Sequence, residues 1–408
     1  MMMSLSKTTS LMLASGLATL ALLQPAMALD AETFVNRIET VYKVMGYDFS
    51  FGPATLDGDT ITVDGGTLGI VGLGEEPMTF DTTLTFSGVA ETEDGGFTAD
   101  SLTIPDIDTD FSADPVGHLS LTDIRVENIV LPPEGVTGSA ALMQTAGVVA
   151  TGPLSVTRDG AEVISIDSMD MTSEFTHDAA GALESLVTTT SIAGLWADLS
   201  TVKDEEPDAG AMIEALGLTE INGDFNQTMT WSMGDGHLVL EESKLDLADA
   251  GAIDFKLDVL GFTPAILDKI YAMQGEGLDA TSEEAQAKQM MVGMELLQAL
   301  SISSASIRYD DASLAGKLLD VFAAQSGTDR AAFVEGLKAT LPGIVAQSGI
   351  PALTDLVVPP VSAFLDDPQS LEISVKPPQP TSLLVLTAAA SNPAGLISAI
   401  GLAVTANQ

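Results

Sequence analysis

The stretch Ala252-Ile253-Asp254-Phe255-Lys256-Leu257-Asp258-Val259 places an apolar residue at every second position and a charge between each pair. An extended backbone sends successive side chains to opposite sides, so this period yields one greasy face and one charged face. The pattern recurs at Ile61 and Val63, through Phe80, Thr82, Leu84 and Phe86, at Leu119 and Leu121, and from Met229 through Trp231 to Met233. Asp64-Gly65-Gly66, Asp94-Gly95-Gly96 and Gly234-Asp235-Gly236 separate such runs, and these are strong short-range hairpin signals. Residues 47–262 are therefore predicted to form an antiparallel meander of about ten or more strands. An antiparallel sheet can leave one face in water, but its other face needs cover. At about 3.3 Å per residue, an eight-residue run exposes an apolar stripe about 25 Å long.

The flanking segments are helical in period. Asp30 is placed to cap a helix through Met45, with Phe34, Val35, Ile38, Val41 and Tyr42 on one face and Gly46 as its stop. After Phe262, Thr263-Pro264 opens one helix, and the capping box Thr281-Ser282-Glu283-Glu284 opens another that runs to about Leu300. Two more are predicted at 313–324 and 328–341, closed near Gly327 and Pro342. Short strands are expected at Ile302–Tyr309, Leu371–Lys376 and Gly401–Ala406. Pro359-Pro360 and Pro377-Pro378-Gln379-Pro380 read as turns or rigid connectors. The apolar tail from Leu383 to Val404, broken by Ser391-Asn392-Pro393 and Gly395, reads as two short buried helices and a closing strand. The fold class is α+β: a long curved antiparallel meander with C-terminal helices packed on its apolar face. Its parts are a helix at 29–46, the meander at 47–262 and a helix-rich region at 263–408 that completes the same fold.

Residues 1–28 read as an export signal. Lys7 supplies the basic start, Leu11–Leu23 the apolar core and Ala26-Met27-Ala28 the cleavage motif, so the mature chain is expected to begin at Leu29. The apolar run is too short to span a bilayer, which takes about 20 residues. With no cysteine, the chain has no lipidation site at the cleavage point, no disulfide and no thiolate metal site. The expected location is the periplasm or outside the cell. No integral span is predicted in the mature chain.

Lysine and arginine number 15 against 58 acids, a net charge of −43. Such a surface repels phosphate backbones, which excludes nucleic acid as a partner. Hydrophobic residues still make up 46% of the chain, enough to build a core, so the acids must be segregated onto a solvated surface.

Catalytic patterns are missing. Histidine, the usual base beside a nucleophile, occurs only at His118, His177 and His237, all read as surface-turn residues, and no Gly-x-Ser-x-Gly elbow is present. Ser313 and Lys317 are out of frame for a Ser-x-x-Lys dyad. No His-Glu-x-x-His motif offers a zinc site. Asp106, Asp108 and Asp110 superficially match the opening of a calcium loop, but its sixth and twelfth positions are Phe111 and Gly117, so alternating acids along a solvent-facing strand explain them. Gly72-Leu73-Gly74 leads into Glu75-Glu76, which would repel a phosphate. A glycosidase-type carboxylate pair lacks aromatic platforms, since Trp196 and Trp231 lie on apolar runs and read as core. Aromatic content of 5% and a helix-rich end also argue against an outer-membrane barrel. No cofactor is implied.

Several segments carry a resemblance: Ala150-Thr151-Gly152-Pro153-Leu154-Ser155-Val156, Ala215-Leu216-Gly217-Leu218 leading to Asn222-Gly223, Ser304 to Leu314, and Phe364 to Ile373. Through them the chain resembles a family of exported bacterial proteins of unknown function, which transfers no catalytic residues. More distantly it is similar to the AsmA/TamB-like envelope proteins, whose amphipathic sheets are thought to shield lipid chains. That likeness is one of fold, and this chain departs from it in its helix-rich end and its lack of a membrane anchor.

The function expected is a non-enzymatic, soluble periplasmic protein that binds a lipid or other apolar molecule in a groove between sheet and helices. Phe255, Leu257, Val259, Met290, Met291 and Met294 are the candidate groove residues. The alternatives are a fully packed scaffold that engages an envelope protein partner, and a carboxylate-based hydrolase.

Overall fold

The structure is a computed structural model and describes residues 29–71, 77–136, 138–275, 283–389 and 393–408. The predicted leader, the Gly72–Glu76 stretch and the Thr281-Ser282 cap lie outside these residues. The chain opens with α1 (Ala31–Val44), β1 (Tyr47–Phe51), β2 (Ala54–Asp57), β3 (Thr60–Ile70), β4 (Met78–Ser87), β5 (Ala90–Glu91) and β6 (Phe97–Ile104). It continues through β7 (Ile107–Ala113), β8 (Val116–Leu121), β9 (Ile124–Leu131), α2 (Ser139–Leu142), β10 (Ala146–Thr151), β11 (Leu154–Arg158), β12 (Ala161–Ile166), β13 (Ser168–His177) and β14 (Leu183–Asp198). Next come α3 (Val202–Glu205), α4 (Pro207–Leu216), β15 (Glu220–Ser232), β16 (His237–Leu247), β17 (Gly251–Leu260), α5 (Pro264–Gly275), α6 (Glu283–Ala299) and β18 (Ser301–Asp311). The last elements are α7 (Leu314–Gln325), α8 (Arg330–Ala346), α9 (Pro351–Asp366), β19 (Ser370–Val375), β20 (Thr381–Ser382), α10 (Leu383–Ala389), α11 (Pro393–Ile400) and β21 (Leu402–Ala406).

All pairings among these strands are antiparallel. The main ladder runs β1, β3, β4, β6, β9, β10, β13, β14, β15, β16, β17, β18, β19, β21. At a spacing of about 4.8 Å between strands, it measures about 60 Å from end to end. The hairpins β7–β8 and β11–β12 join through β8 and β11, and β12 carries them onto the far end of β14.

Cross-strand partners share a face, so the register shows how the alternation is used. One row reads Thr151, Met169, Ile192, Phe225, Leu245, Ile253, Tyr309, Leu371, Ala406 across nine strands. The adjacent row, on the opposite face, reads Asp170, Ser191, Asn226, Lys244, Asp254, Arg308, Glu372, Thr405. The charged face is internally compensated: Arg308 meets Asp310 at 2.6 Å and Glu372 at 3.6 Å, and Lys244 meets Asp246 at 2.8 Å.

Helices then lie on the apolar side. Asp30 caps α1 by accepting the Thr33 N–H at 2.7 Å. Helix α1 seats the fully buried Phe34 edge-on to Phe86 and Phe97, at 5.0 and 5.5 Å, in a core with Ile61, Val63 and Leu131. A second core forms where Leu267 of α5 meets Leu186, Trp231 and Met233. At the opposite margin, Phe364 of α9 packs edge-on against Tyr309, with ring centroids 6.3 Å apart.

Several expectations are corrected. Helix α8 runs on through Pro342 instead of stopping there, and Pro359 and Pro360 lie inside α9 instead of in a connector. A proline costs an interior helix one hydrogen bond, and here α8 packs on both α7 and α9, which offsets it. Helices α10 and α11 close the chain as expected in type, but Val385 is 53% exposed, so α10 is not buried. Trp196 is not core. A bulge after Ile192 flips the strand, and Trp196 pairs with Asn222 and Ser165 on the polar face, partly exposed. His118 lies within strand β8 and not in a turn.

Candidate functional site: an open apolar trough

From β13 to β21 the apolar-face positions of the ladder carry no lysine or arginine and a single carboxylate, Asp311. Asp311 is engaged through Oδ1. Its Oδ1 lies 2.6 Å from Tyr309 Oη and accepts the Ala315 N–H at 2.8 Å, which fixes the start of α7. Burial and this neighbouring carboxylate both push the Tyr309 phenol well above its ordinary pKa, so it stays a neutral donor. Gly251, paired with Asp311, has φ +142°, and a side chain there would collide with the Tyr309 ring at 2.8 Å. The ring therefore lies down over the glycine, where Phe364 packs against it.

Between the margin held by α9 and the margin held by α5, the floor is uncovered. The row Phe255, Ile307, Ile373, Val404 crosses four strands. Phe255 is 40% exposed, Ile307 49% and Ile373 45%, and neighbouring Ile253 is 47% exposed. On the other side of the same strand the Asp254 side chain is only 15% exposed. The usual order of burial is thus inverted at Ile253-Asp254-Phe255, and contiguous exposed apolar surface of this kind marks a binding surface.

The walls are helical. Contacts link α2 to α5, α5 to α6, α6 to α10, α10 to α11, α11 to α9, α9 to α8, α8 to α7, α7 to α4 and α4 to α3. This chain of helices borders the floor on one side, passes the β21 end and returns along the other. At the α5 wall, Trp231 is 1% exposed and donates its indole N–H to Phe262 O at 2.6 Å, closing the floor there.

The sequence candidates divide into two groups. Phe255, Leu257 and Val259 all stand on the floor, facing Ile307, Ala305 and Ile302 of β18. Met290, Met291 and Met294 belong to the wall helix α6 and are 71%, 73% and 42% exposed. Ile307 and Ile373 lie outside the sequence candidates, and Ile253 and Phe255, on a stretch whose apolar face is expected to be covered, are instead left exposed because no helix lands on them. The signal for Ile307 and Ile373 lay in Ile307-Arg308-Tyr309 and Leu371-Glu372-Ile373, which repeat the same alternation on strands β18 and β19.

The three histidines lie away from the exposed row. His118 lies between Asp108 and Asp110, at 3.1 and 2.8 Å, on the exposed β7–β8 hairpin. His237 meets Asp258 at 2.9 Å on the polar face, and His177 meets Gln144. No cluster among the described residues has the arrangement of a metal site. The trough offers dispersion and water exclusion: completing the burial of each half-exposed floor side chain is worth about 1 kcal/mol, roughly half the full-burial value.

A long antiparallel sheet with one charged and one apolar face, walled by helices, defines the class as an α+β protein with an open amphipathic sheet. Residues 244–407 match a protein family described as "Uncharacterized protein", a span that runs from mid-β16 to β21 and holds the whole exposed row. No curated protein matches the chain. No helix among the described residues is long and apolar enough to cross a membrane.

Proposed function

We propose that the protein is a non-enzymatic, exported binder of a lipid or other apolar molecule, which lies on the open floor between α5 and α9. The observation that carries this reading is the exposed row Phe255, Ile307, Ile373 on the apolar face, between the margins held by α5 and α9. A floor with a single carboxylate, Asp311, already bonded at its margin, favours an occupant held by apolar contact, as in other ligand sites where few polar groups converge. The Leu11–Leu23 run and Ala26-Met27-Ala28 support export to the periplasm. A scaffold with a fully packed core fits these exposures poorly.

Native mass spectrometry of the purified protein, followed by solvent extraction, tests the proposal. A co-purifying apolar species of discrete mass, released on denaturation, is the expected result. Clean protein that also fails to enhance the fluorescence of N-phenylnaphthylamine would overturn it.

A further inference from the structure

The floor, with its single carboxylate already bonded, leaves open what kind of polar end its occupant carries, and the walls supply an answer. Resting on the reading above, we infer that the trough takes amphiphiles with a cationic head and discriminates against anionic ones. The argument starts from the wall helices, where a head group must come to rest once its chain lies on the floor.

Lys317 of α7 donates to a backbone carbonyl, Asp249 O, at 3.3 Å, and three other wall cations hold carboxylates. Lys269 of α5 is bonded to Glu295 of α6, Arg330 of α8 lies 3.7 Å from Asp320 of α7, and Lys338 of α8 lies 2.8 Å from Asp366 of α9 and 2.9 Å from Glu335. On the sheet, Lys244, Lys256 and Arg308 are on the polar face and paired with Asp246, Asp254 and Asp310. A sulfate, phosphate or carboxylate head therefore has to displace an existing partner before it gains a cation.

An ammonium faces no such exchange. A carboxylate has about four acceptor sites on two oxygens. Glu295 meets Lys269 through Oε1, and Asp320 meets Arg330 through Oδ2, so each can accept a second cation while keeping the first. The net charge of −43 works in the same direction, raising the local concentration of cations and lowering that of anions. Screening limits this field to about 8 Å at physiological salt, a range that still covers a head group seated on the wall.

The test uses one neutral probe and two competitors with the same tail. N-phenylnaphthylamine is bound to the intact mature protein and displaced by dodecyltrimethylammonium or by dodecyl sulfate, each below its micelle concentration. The cation is expected to displace the probe about tenfold more effectively at about 20 mM NaCl, with the ratio falling toward one at about 0.5 M. Combining Glu295→Gln with Asp320→Asn releases Lys269 and Arg330 and is expected to narrow the ratio in low salt. Equal displacement by both competitors in low salt would overturn the head-group assignment while leaving the trough reading intact. Failure of the neutral probe to bind would overturn both.

Discussion

Trp231 and Phe255 stand on the same face of the same sheet, and the helices give them opposite fates. Trp231 is 1% exposed, roofed by α5, and its indole N–H is satisfied by Phe262 O. Trp231→Ala is expected to cost about 3–5 kcal/mol in chemical denaturation, because it opens a cavity and orphans a carbonyl. Ile307→Ser, at a position 49% exposed, is expected to cost less than about 1.5 kcal/mol yet to weaken N-phenylnaphthylamine binding severalfold. A variant that lost stability without losing the probe would show the row to be structural. The side to which each of these residues points was legible from alternation alone. Which of them a helix would cover was not, because that depends on where α5 and α9 land, and a period-two pattern carries no record of it. Trp196 shows a second limit. Gly194, at φ +65° with its N–H bonded to Asp224, lets the strand bulge, and one extra residue exchanges the two faces beyond it. Asp30 gives a pH signature at this scale. Hydrogen bonds from the Thr33 hydroxyl and N–H hold its carboxyl below the ordinary value of 3.8, so its stabilisation is present above that pH and is lost as the pH falls through the folded value. The stability gap between the wild type and Asp30→Ala, measured by urea denaturation, is expected to be open at neutral pH and to close in acid.

Element ends were legible where a side chain sets them. Asp30 starts α1 as read, whereas the helix read from residue 328 starts at Arg330, where Asp329 caps it by accepting the Ala332 N–H at 2.9 Å. Asp329→Ala is expected to cost about 1 kcal/mol, measured as a lowered urea midpoint. Prolines misled for the opposite reason. Pro342 ends nothing, because α8 is held on both sides by α7 and α9 and by the Lys338 bridge to Asp366, so the missing hydrogen bond is tolerated. Pro342→Ala should therefore restore that bond and raise the Tm. A lowered Tm would mean that a kink at Pro342 is needed to fit α8 between its neighbours. The short helices α2, α3 and α4 went unforeseen inside the meander; with four to ten residues each, they are too brief to establish a helical period.

At the scale of the whole molecule, charge and hydrocarbon have been sorted onto opposite sides of one sheet about 60 Å long. With a net charge of −43 the folded state repels itself, so raising NaCl from about 20 mM to about 0.5 M is expected to increase the Tm. A Tm indifferent to salt would mean that the acids are already neutralised by bound cations. The uncovered row from Phe255 to Ile373 carries a consequence for how the protein behaves when vacant. Ile307 and Ile373 wet on every turn of thermal motion make an unloaded molecule adhesive, and the simplest remedy open to it is a second copy pressed mouth to mouth. Stripped of any guest, the protein should sediment partly as a dimer at high concentration, and an added hydrocarbon chain should return it to single molecules.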